Sequence, residues 1–269
     1  MEPRPLHSIR GFLLDLDGTV YLDGEIIPGA DLFCQTVREQ GKQILFLTNN
    51  GAHSPEHCLN ALHRVGIAAE RDELFTCTEA AIIGLRRHGC RSIYPLATAQ
   101  VQGMLTAAGF ELTEHQPDYV LVAFDTDFTF HRLSTACRLI GSGARLAATN
   151  PDLVHPTPEG PVPHTGAILA AVTAATGKSP DFVFGKPDRT MLDLAIERLK
   201  LPESELAVVG DQLITDIALA VGTELTSILV MTGATKQAEA ERSPYPIHYQ
   251  FASIADMIPL LTRHSTKEA

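Results

Sequence analysis

Two aspartates, Asp15 and Asp17, follow the apolar run Gly11-Phe12-Leu13-Leu14 and precede Gly18-Thr19. The run reads as a buried strand. Side chains alternate faces along a strand, so both carboxylates point the same way while the chain stays extended. Gly18 lets the backbone bend directly after them. Two acids converging at a strand end repel unless a cation or a proton relieves them, which points to a metal and to acid–base chemistry.

Three other places carry reactive groups in the same kind of position. Thr48-Asn49-Asn50 ends the run Ile44-Leu45-Phe46-Leu47, Lys186 follows Phe182-Val183-Phe184-Gly185, and Gly210-Asp211 with Thr215-Asp216 follows Leu206-Ala207-Val208-Val209. Sites in open parallel sheets form at the carboxyl ends of strands, where the strand order reverses. If these strands are parallel neighbours, one edge holds three or four carboxylates, a hydroxyl, amides and a cation. That inventory fits phosphoryl transfer: a carboxylate can attack phosphorus, Mg²⁺ bridges carboxylates to phosphate, and a lysine neutralises a phosphate oxygen. Hydrolysis of a phosphate monoester requires up to ~10²¹-fold acceleration, roughly 29 kcal/mol, whereas one placed donor supplies about 3–4 kcal/mol. A metal, a nucleophile, an acid–base group and charge clamps must therefore act together.

The elements that position these groups alternate. Apolar runs at Gly11–Asp17, Gln43–Asn49, Asp181–Gly185, Glu205–Asp211 and Leu225–Thr232 alternate with helical patterns at Ala30–Gln40, Pro55–Val65, Asp188–Leu199 and Leu213–Val221. Ser54 before Pro55 reads as an N-cap with proline in the first helical position. This rhythm predicts an α/β fold with a parallel sheet covered by helices. A second rhythm occupies the middle, with strands at Ser92–Ala97, Asp118–Phe124 and Ala144–Thr149 and helices at Glu79–His88, Ala99–Ala108, Phe130–Ile140 and Ala167–Thr176. The proline-containing stretch Asn150–Pro163 reads as a surface loop. Boundaries near 80 and 180 predict a domain of residues 80–180 inserted into an outer domain made of 1–79 and 181–269.

With 269 residues, 45% of them hydrophobic, the chain can bury a core, and its net charge of −11 argues against nucleic-acid binding, which relies on basic patches. Five scattered cysteines without a C-x-x-C pattern fit reduced thiols in the cytoplasm. The N-terminus has no apolar leader segment, and no run approaches a membrane span. His53, His155 and His164 match no zinc-ligand spacing and read as surface or satisfied histidines.

Asp15-Leu-Asp-Gly-Thr-Val, Thr48, Lys186 and Gly210-Asp211 with Thr215-Asp216 resemble the four ordered motifs of the haloacid dehalogenase (HAD) superfamily. The longer stretches Asp15–Gly24, Phe46–Asn50, Ala148–Asp152 and Phe184–Pro187 are similar to its NagD-type and p-nitrophenyl phosphatase-like subgroup. The resemblance covers nearly the whole chain. It implies a Rossmann-like, doubly wound core with an α/β cap inserted between the second and third motifs. It also implies a Mg²⁺-dependent phosphatase acting on a small phosphorylated metabolite. Asp15 would be the nucleophile and a metal ligand. Asp17 would be the general acid and base, binding metal through its backbone carbonyl. Thr48, Asn49 and Lys186 would hold phosphate, Asp211 would complete the metal shell, and Gly18, Asn50 and Asp216 would support it. Asn150 and Asp152, in the cap, would lie near the substrate. Phosphomutase or dehalogenase chemistry and a catalytically silent metabolite-binding regulator are the alternatives. A homodimer remains open.

Overall fold

The computed structural model describes residues 4–155 and 160–261. The first part of the chain contributes strands β1 (Gly11–Leu14), β2 (Tyr21–Leu22), β3 (Glu25–Ile26), β4 (Gln43–Thr48) and β5 (Leu74–Thr76). The middle contributes β6 (Ser92–Leu96), β7 (Glu111–Leu112), β8 (Tyr119–Val122), β9 (Arg145–Ala148), β10 (Val154–His155), β11 (Val162–Pro163) and β12 (Phe182–Val183). The last part contributes β13 (Leu206–Gly210), β14 (Thr226–Val230) and β15 (Tyr249–Phe251). The chain divides into two compact units. One comprises residues 1–48, 59–75 and 192–269, the other 49–58 and 76–191. This division falls a few residues before the expected boundary near 80 and about ten after that near 180, and it assigns 49–58 to the second unit.

In the first unit the sheet order is β15-β14-β13-β1-β4-β5, and the pairs from β15 through β4 are parallel. Starting from β1, the chain builds toward β4 on one side and toward β13 on the other. The strand order therefore reverses at β1, the place where open α/β sheets form their sites. Leu14 pairs with both Phe46 and Val209, so the residues just past β1, β4 and β13 leave the sheet at nearly one level. All four residues of β1 and all five of β13 and β14 are buried, as strands covered on both faces require. Beyond β1, β2 and β3 form a short hairpin. Its turn residues Asp23 and Gly24 both have positive φ, 51° and 81°, the requirement of a two-residue type I′ turn that Asp-Gly meets well.

The second unit carries its own parallel sheet, β12-β9-β8-β6-β7. Tyr94, Leu96, Val120, Val122, Leu146 and Ala148, alternate residues of three strands, pack with Ala136, Ile140, Ile168 and Val172 of the helices Phe130–Gly141 and Thr165–Thr176. This is the inserted α/β cap domain. Three of its helices start on side-chain caps: Thr76 and Glu79 form a reciprocal capping box, and Thr98 and Thr129 each accept from the third helical amide. Ser54 accepts from the His57 amide at 3.3 Å ahead of the helix Pro55–Arg64, as the Ser-Pro pair predicts.

Two elements depart from expectation. The stretch after Thr149 contains an antiparallel ladder, Val154 opposite Pro163 and His155 opposite Val162. Pro163 is tolerated because it sits at the end of an isolated two-stranded ribbon, where no ladder continues. The helix expected over Leu213–Val221 is instead a π turn, Leu213–Ile217, followed by a 3₁₀ turn, Ala218–Ala220. The Ile217 amide reaches back five residues to the Gln212 carbonyl at 3.2 Å, which widens the turn that carries Asp216. No helix among the described residues is long and apolar enough to cross a membrane.

Gly84, inside the helix Cys77–Arg87, marks a tight contact in the cap. A Cβ there would lie 2.6 Å from Cδ1 of Phe184 and closer still to Cε1, and Phe184 is fully buried. Alanine normally favours a helix interior over glycine by about 1 kcal/mol. Overpacking a buried ring costs about 1–3 kcal/mol, so the net sign should be destabilising. Gly84→Ala is expected to lower the denaturation midpoint in urea, and a raised midpoint would show that the ring can move aside.

Candidate active site

Asp15, Asp211 and Asp216 are nearly inaccessible, with 7%, 1% and 1% of their surface exposed, and each offers a carboxylate oxygen within 4.8 Å of the others. The sheet explains the first two. Asp15 continues β1, its amide donating to the Val209 carbonyl at 2.9 Å, and Asp211 continues the adjacent β13. The π turn explains the third: it returns Asp216 so that its Oδ2 accepts the Gln212 amide at 3.1 Å.

Glycines make room for the trio. Gly18 has φ +84°, and a Cβ there would lie 2.7 Å from the Asp211 carboxyl carbon. A Cβ at Gly233 would strike the same carboxylate, and one at Gly210 would strike Asp216. The loop after β14, which the sequence reading passed over, belongs to the site. The Ala234 amide donates to Asp211 Oδ2 at 2.5 Å, the Thr235 amide to the Asp211 carbonyl at 3.3 Å, and Thr232 Oγ1 to the Gly18 carbonyl at 2.6 Å. Its signal was available: Thr232-Gly233-Ala234 follows an apolar run, like every other group chosen from the sequence. Thr48, at the end of β4, is buried with 1% exposure.

Asp17 is half-buried, and its carboxylate stands outside the trio. Its backbone bridges to Tyr21, and the Gly18 amide donates to the Tyr21 carbonyl at 2.7 Å. Of the sequence-predicted metal ligands, the structure thus gathers the carboxylates of Asp15 and Asp211, with Asp216, expected as a supporting group, beside them. The donor set is all oxygen and all anionic, which suits a hard divalent cation such as Mg²⁺ or Ca²⁺. Burying three carboxylates at this spacing needs such a charge or shared protons.

The remaining predicted residues lie in the cap unit. Asn49, Asn150 and Lys186 are buried, with 8%, 0% and 2% exposure. Asn49 Nδ2 donates to the Lys186 carbonyl at 2.9 Å, and its Oδ1 accepts the Lys186 amide at 2.9 Å. Asn49 Nδ2 also reaches Asp152 Oδ2 at 2.8 Å, and Asn150 Nδ2 reaches the same oxygen at 2.7 Å. Asn150 Oδ1 accepts from Thr149 Oγ1 at 2.8 Å and more weakly from Cys77 Sγ at 3.9 Å. Asn50 is turned to local use, its Oδ1 accepting the Ala52 amide at 3.2 Å. Cys77, wholly buried, has its thiol pushed up to about 12, chiefly by burial and then by the Asp152 carboxylate, which suits a packing role. Of the three histidines set aside in the sequence, His164 is buried and satisfied: its Nδ1 lies 3.1 Å from Asn150 Nδ2, and its ring stacks on Phe124. Burial first, and then the His155 ring, push its imidazole down to about 4. Burial, then His57 and His155, lower His53 as well.

Two consequences are measurable. Gly233→Ala must displace either the loop or the Asp211 carboxylate, so divalent-cation affinity is expected to fall about 10–100-fold, read by calorimetric titration; unchanged affinity would detach the loop from the site. His164 is neutral when folded, whereas the unfolded chain takes up its proton near 6.5. The unfolded state therefore binds more protons between about pH 6.5 and 4, and stability should fall with pH across that window, by up to about 3 kcal/mol. His164→Gln, which retains an acceptor, should flatten this part of the stability profile.

Residues 12–111 match the family model of haloacid dehalogenase-like hydrolases, and 183–257 match a HAD-hydrolase-like model. An acid sugar phosphatase of Staphylococcus saprophyticus is 34% identical over 261 residues, 96% of this chain and 100% of the relative. A dihydroxyacetone phosphatase of Corynebacterium glutamicum is 32% identical over 252 residues, 91% of this chain and 90% of the relative. The crystal structure of 4-nitrophenylphosphatase from Thermotoga maritima superposes with a TM-score of 0.91 at 36% identity, covering 96% of this chain and 99% of that one. With its motifs, sheet topology and inserted cap, the chain belongs to the haloacid dehalogenase-like hydrolases, in their NagD-like, p-nitrophenyl phosphatase-like branch.

Proposed function

We propose that this protein is a Mg²⁺-dependent phosphatase that hydrolyses a small organic phosphate monoester through an aspartyl-phosphate on Asp15. The observation that carries this reading is the buried carboxylate trio at the strand-order reversal, with Asp15 its one member on the central strand. The phosphatases that relate to this chain over nearly its full length support it, and the sugar- and triose-type substrates in two of their names favour a small phosphorylated polyol or sugar.

In this mechanism Asp15 attacks phosphorus, and Asp17 donates a proton to the departing ester oxygen. Asp17 then removes a proton from water as that water attacks the acyl phosphate, which releases inorganic phosphate and regenerates Asp15. A half-buried Asp17 with its carboxylate outside the trio is suited to exchanging protons, whereas a fourth carboxylate within the trio would add to the repulsion there. Asp15, Asp211 and the Asp17 carbonyl would hold Mg²⁺, with Asp216 beside them. Bound Mg²⁺ offsets the trio's charge and that of the phosphoryl oxygens. The Thr48 hydroxyl, the Asn49 amide and the Lys186 ammonium are assigned to those oxygens.

Purified protein with Mg²⁺ is expected to release inorganic phosphate from p-nitrophenyl phosphate and from members of a sugar-phosphate panel. Chelation with EDTA should stop turnover and Mg²⁺ should restore it. Asp15→Asn should lose at least about 10⁴-fold in kcat. A near-wild-type rate in that variant would remove Asp15 as the nucleophile. A silent wild type across the panel would overturn the enzyme reading, and isomerised phosphate without release would indicate a mutase.

A further inference from the structure

Lys186 has to present a long, flexible ammonium from a short turn, and the turn is gripped by one side chain. Both backbone polar groups of Lys186 bond the Asn49 carboxamide, the carbonyl to Nδ2 and the amide to Oδ1, each at 2.9 Å. Gly185 makes the close approach possible: a Cβ there would lie 2.6 Å from Asn49 Oδ1 and 2.7 Å from the Thr149 carbonyl. A carboxamide has two nearly isosteric orientations. Flipped, Asn49 would turn its NH₂ toward the Lys186 amide and its oxygen toward the Lys186 carbonyl, and lose both bonds.

We propose that Asp152 is a positioning residue for Lys186: its carboxylate, an acceptor only, selects the Asn49 orientation that locks the Lys186 backbone. Asp152 Oδ2 accepts from Asn49 at 2.8 Å and from Asn150 at 2.7 Å. Asn150 is itself held by Thr149 and His164, so the carboxylate is fixed from the cap side by a second amide. The loop after β9, which carries Asn150 and Asp152, thereby acts on the turn after β12, the parallel neighbour of β9. Asp152 need not touch substrate for this. The proposal rests on the phosphatase reading only where it names the benefit, the orientation of a phosphate-binding lysine; the lock itself is a statement about hydrogen bonds.

The test compares wild type, Asp152→Ala, Asp152→Asn, Lys186→Ala and the Asp152→Ala/Lys186→Ala double variant. The two readouts are exchange of the Lys186 backbone amide by NMR and kcat/KM on p-nitrophenyl phosphate. Asp152→Ala is expected to speed Lys186 amide exchange at least about tenfold and to lower kcat/KM by up to about 100-fold, the size of a misplacement effect. Asp152→Asn keeps an oxygen that can accept from both amides, so it should stay within about threefold of wild type on both readouts. In the Lys186→Ala background Asp152→Ala should add less than about twofold, since coupled residues do not add. Unchanged exchange in Asp152→Ala overturns the lock. Losses that multiply in the double variant, or an Asp152→Asn as impaired as Asp152→Ala, overturn the positioning role in favour of direct substrate contact. Faster exchange in Asp152→Ala with full activity in Lys186→Ala leaves the lock standing and removes the phosphate role of Lys186, so the two failures are distinguishable.

Discussion

Mutual repulsion among three buried carboxylates is the constraint around which the core unit is arranged. With a carboxylate oxygen of each of Asp15, Asp211 and Asp216 within 4.8 Å of the others, each ionised pair costs at least about 3.5 kcal/mol at an effective dielectric constant near 20. Three such pairs approach the whole stability of a typical domain, about 5–15 kcal/mol. Backbone donors lower the cost only in part: the Ala234 amide on Asp211 and the Gln212 amide on Asp216 bring partial positive charge but not a full one. The cluster is therefore held ready for a cation, and the fold must supply the rigidity that keeps it from relaxing apart.

That rigidity comes from parallel pairing. β1 lies between β4 and β13, so Asp15 and Asp211 emerge side by side from strands whose spacing is fixed by backbone hydrogen bonds. The side chains could still swing away. Gly18, Gly210 and Gly233 let neighbouring backbone close in on Asp211 and Asp216 where any Cβ would collide, and Thr232 ties the loop after β14 to the turn after β1. The three glycines lie far apart in sequence, so the enclosure exists only once the sheet has formed. Folding and site assembly are then one event in this unit.

This distinction explains what could be read from the chain. Asp15, Asp17, Asp211 and Lys186 were legible because each follows an apolar run, and the α/β alternation that makes those runs strands is a local property. Asp216 was given only a supporting role, set at the start of an expected helix, because the five-residue step of a π turn leaves no periodic signature that separates it from an α-helix. The 232–235 loop was passed over although it too follows an apolar run, because Thr-Gly-Ala-Thr carries no ionisable side chain; its importance depends on β14 lying next to β13. Asn49 was assigned to phosphate through its backbone amide; that its side chain is committed to Lys186, 137 residues away, was not legible, because no local pattern encodes that pairing. The ribbon of Val154–His155 with Val162–Pro163 was hidden by prolines that normally indicate an unpaired loop.

In the cap unit one acid determines the state of several neutral groups. Ionised, Asp152 can only accept, so the Asn150 carboxamide must turn its NH₂ toward it. The amide oxygen then faces Thr149 Oγ1, whose hydroxyl rotates to donate. The second amide hydrogen is left facing His164 Nδ1, so that nitrogen has to accept and the ring proton belongs on Nε2. An imidazolium would place a second hydrogen between the two nitrogens, in a buried site close to His155. The depressed imidazole pKa, set by burial and then by the His155 ring, leaves that nitrogen able to accept the hydrogen which the Asp152-oriented carboxamide offers.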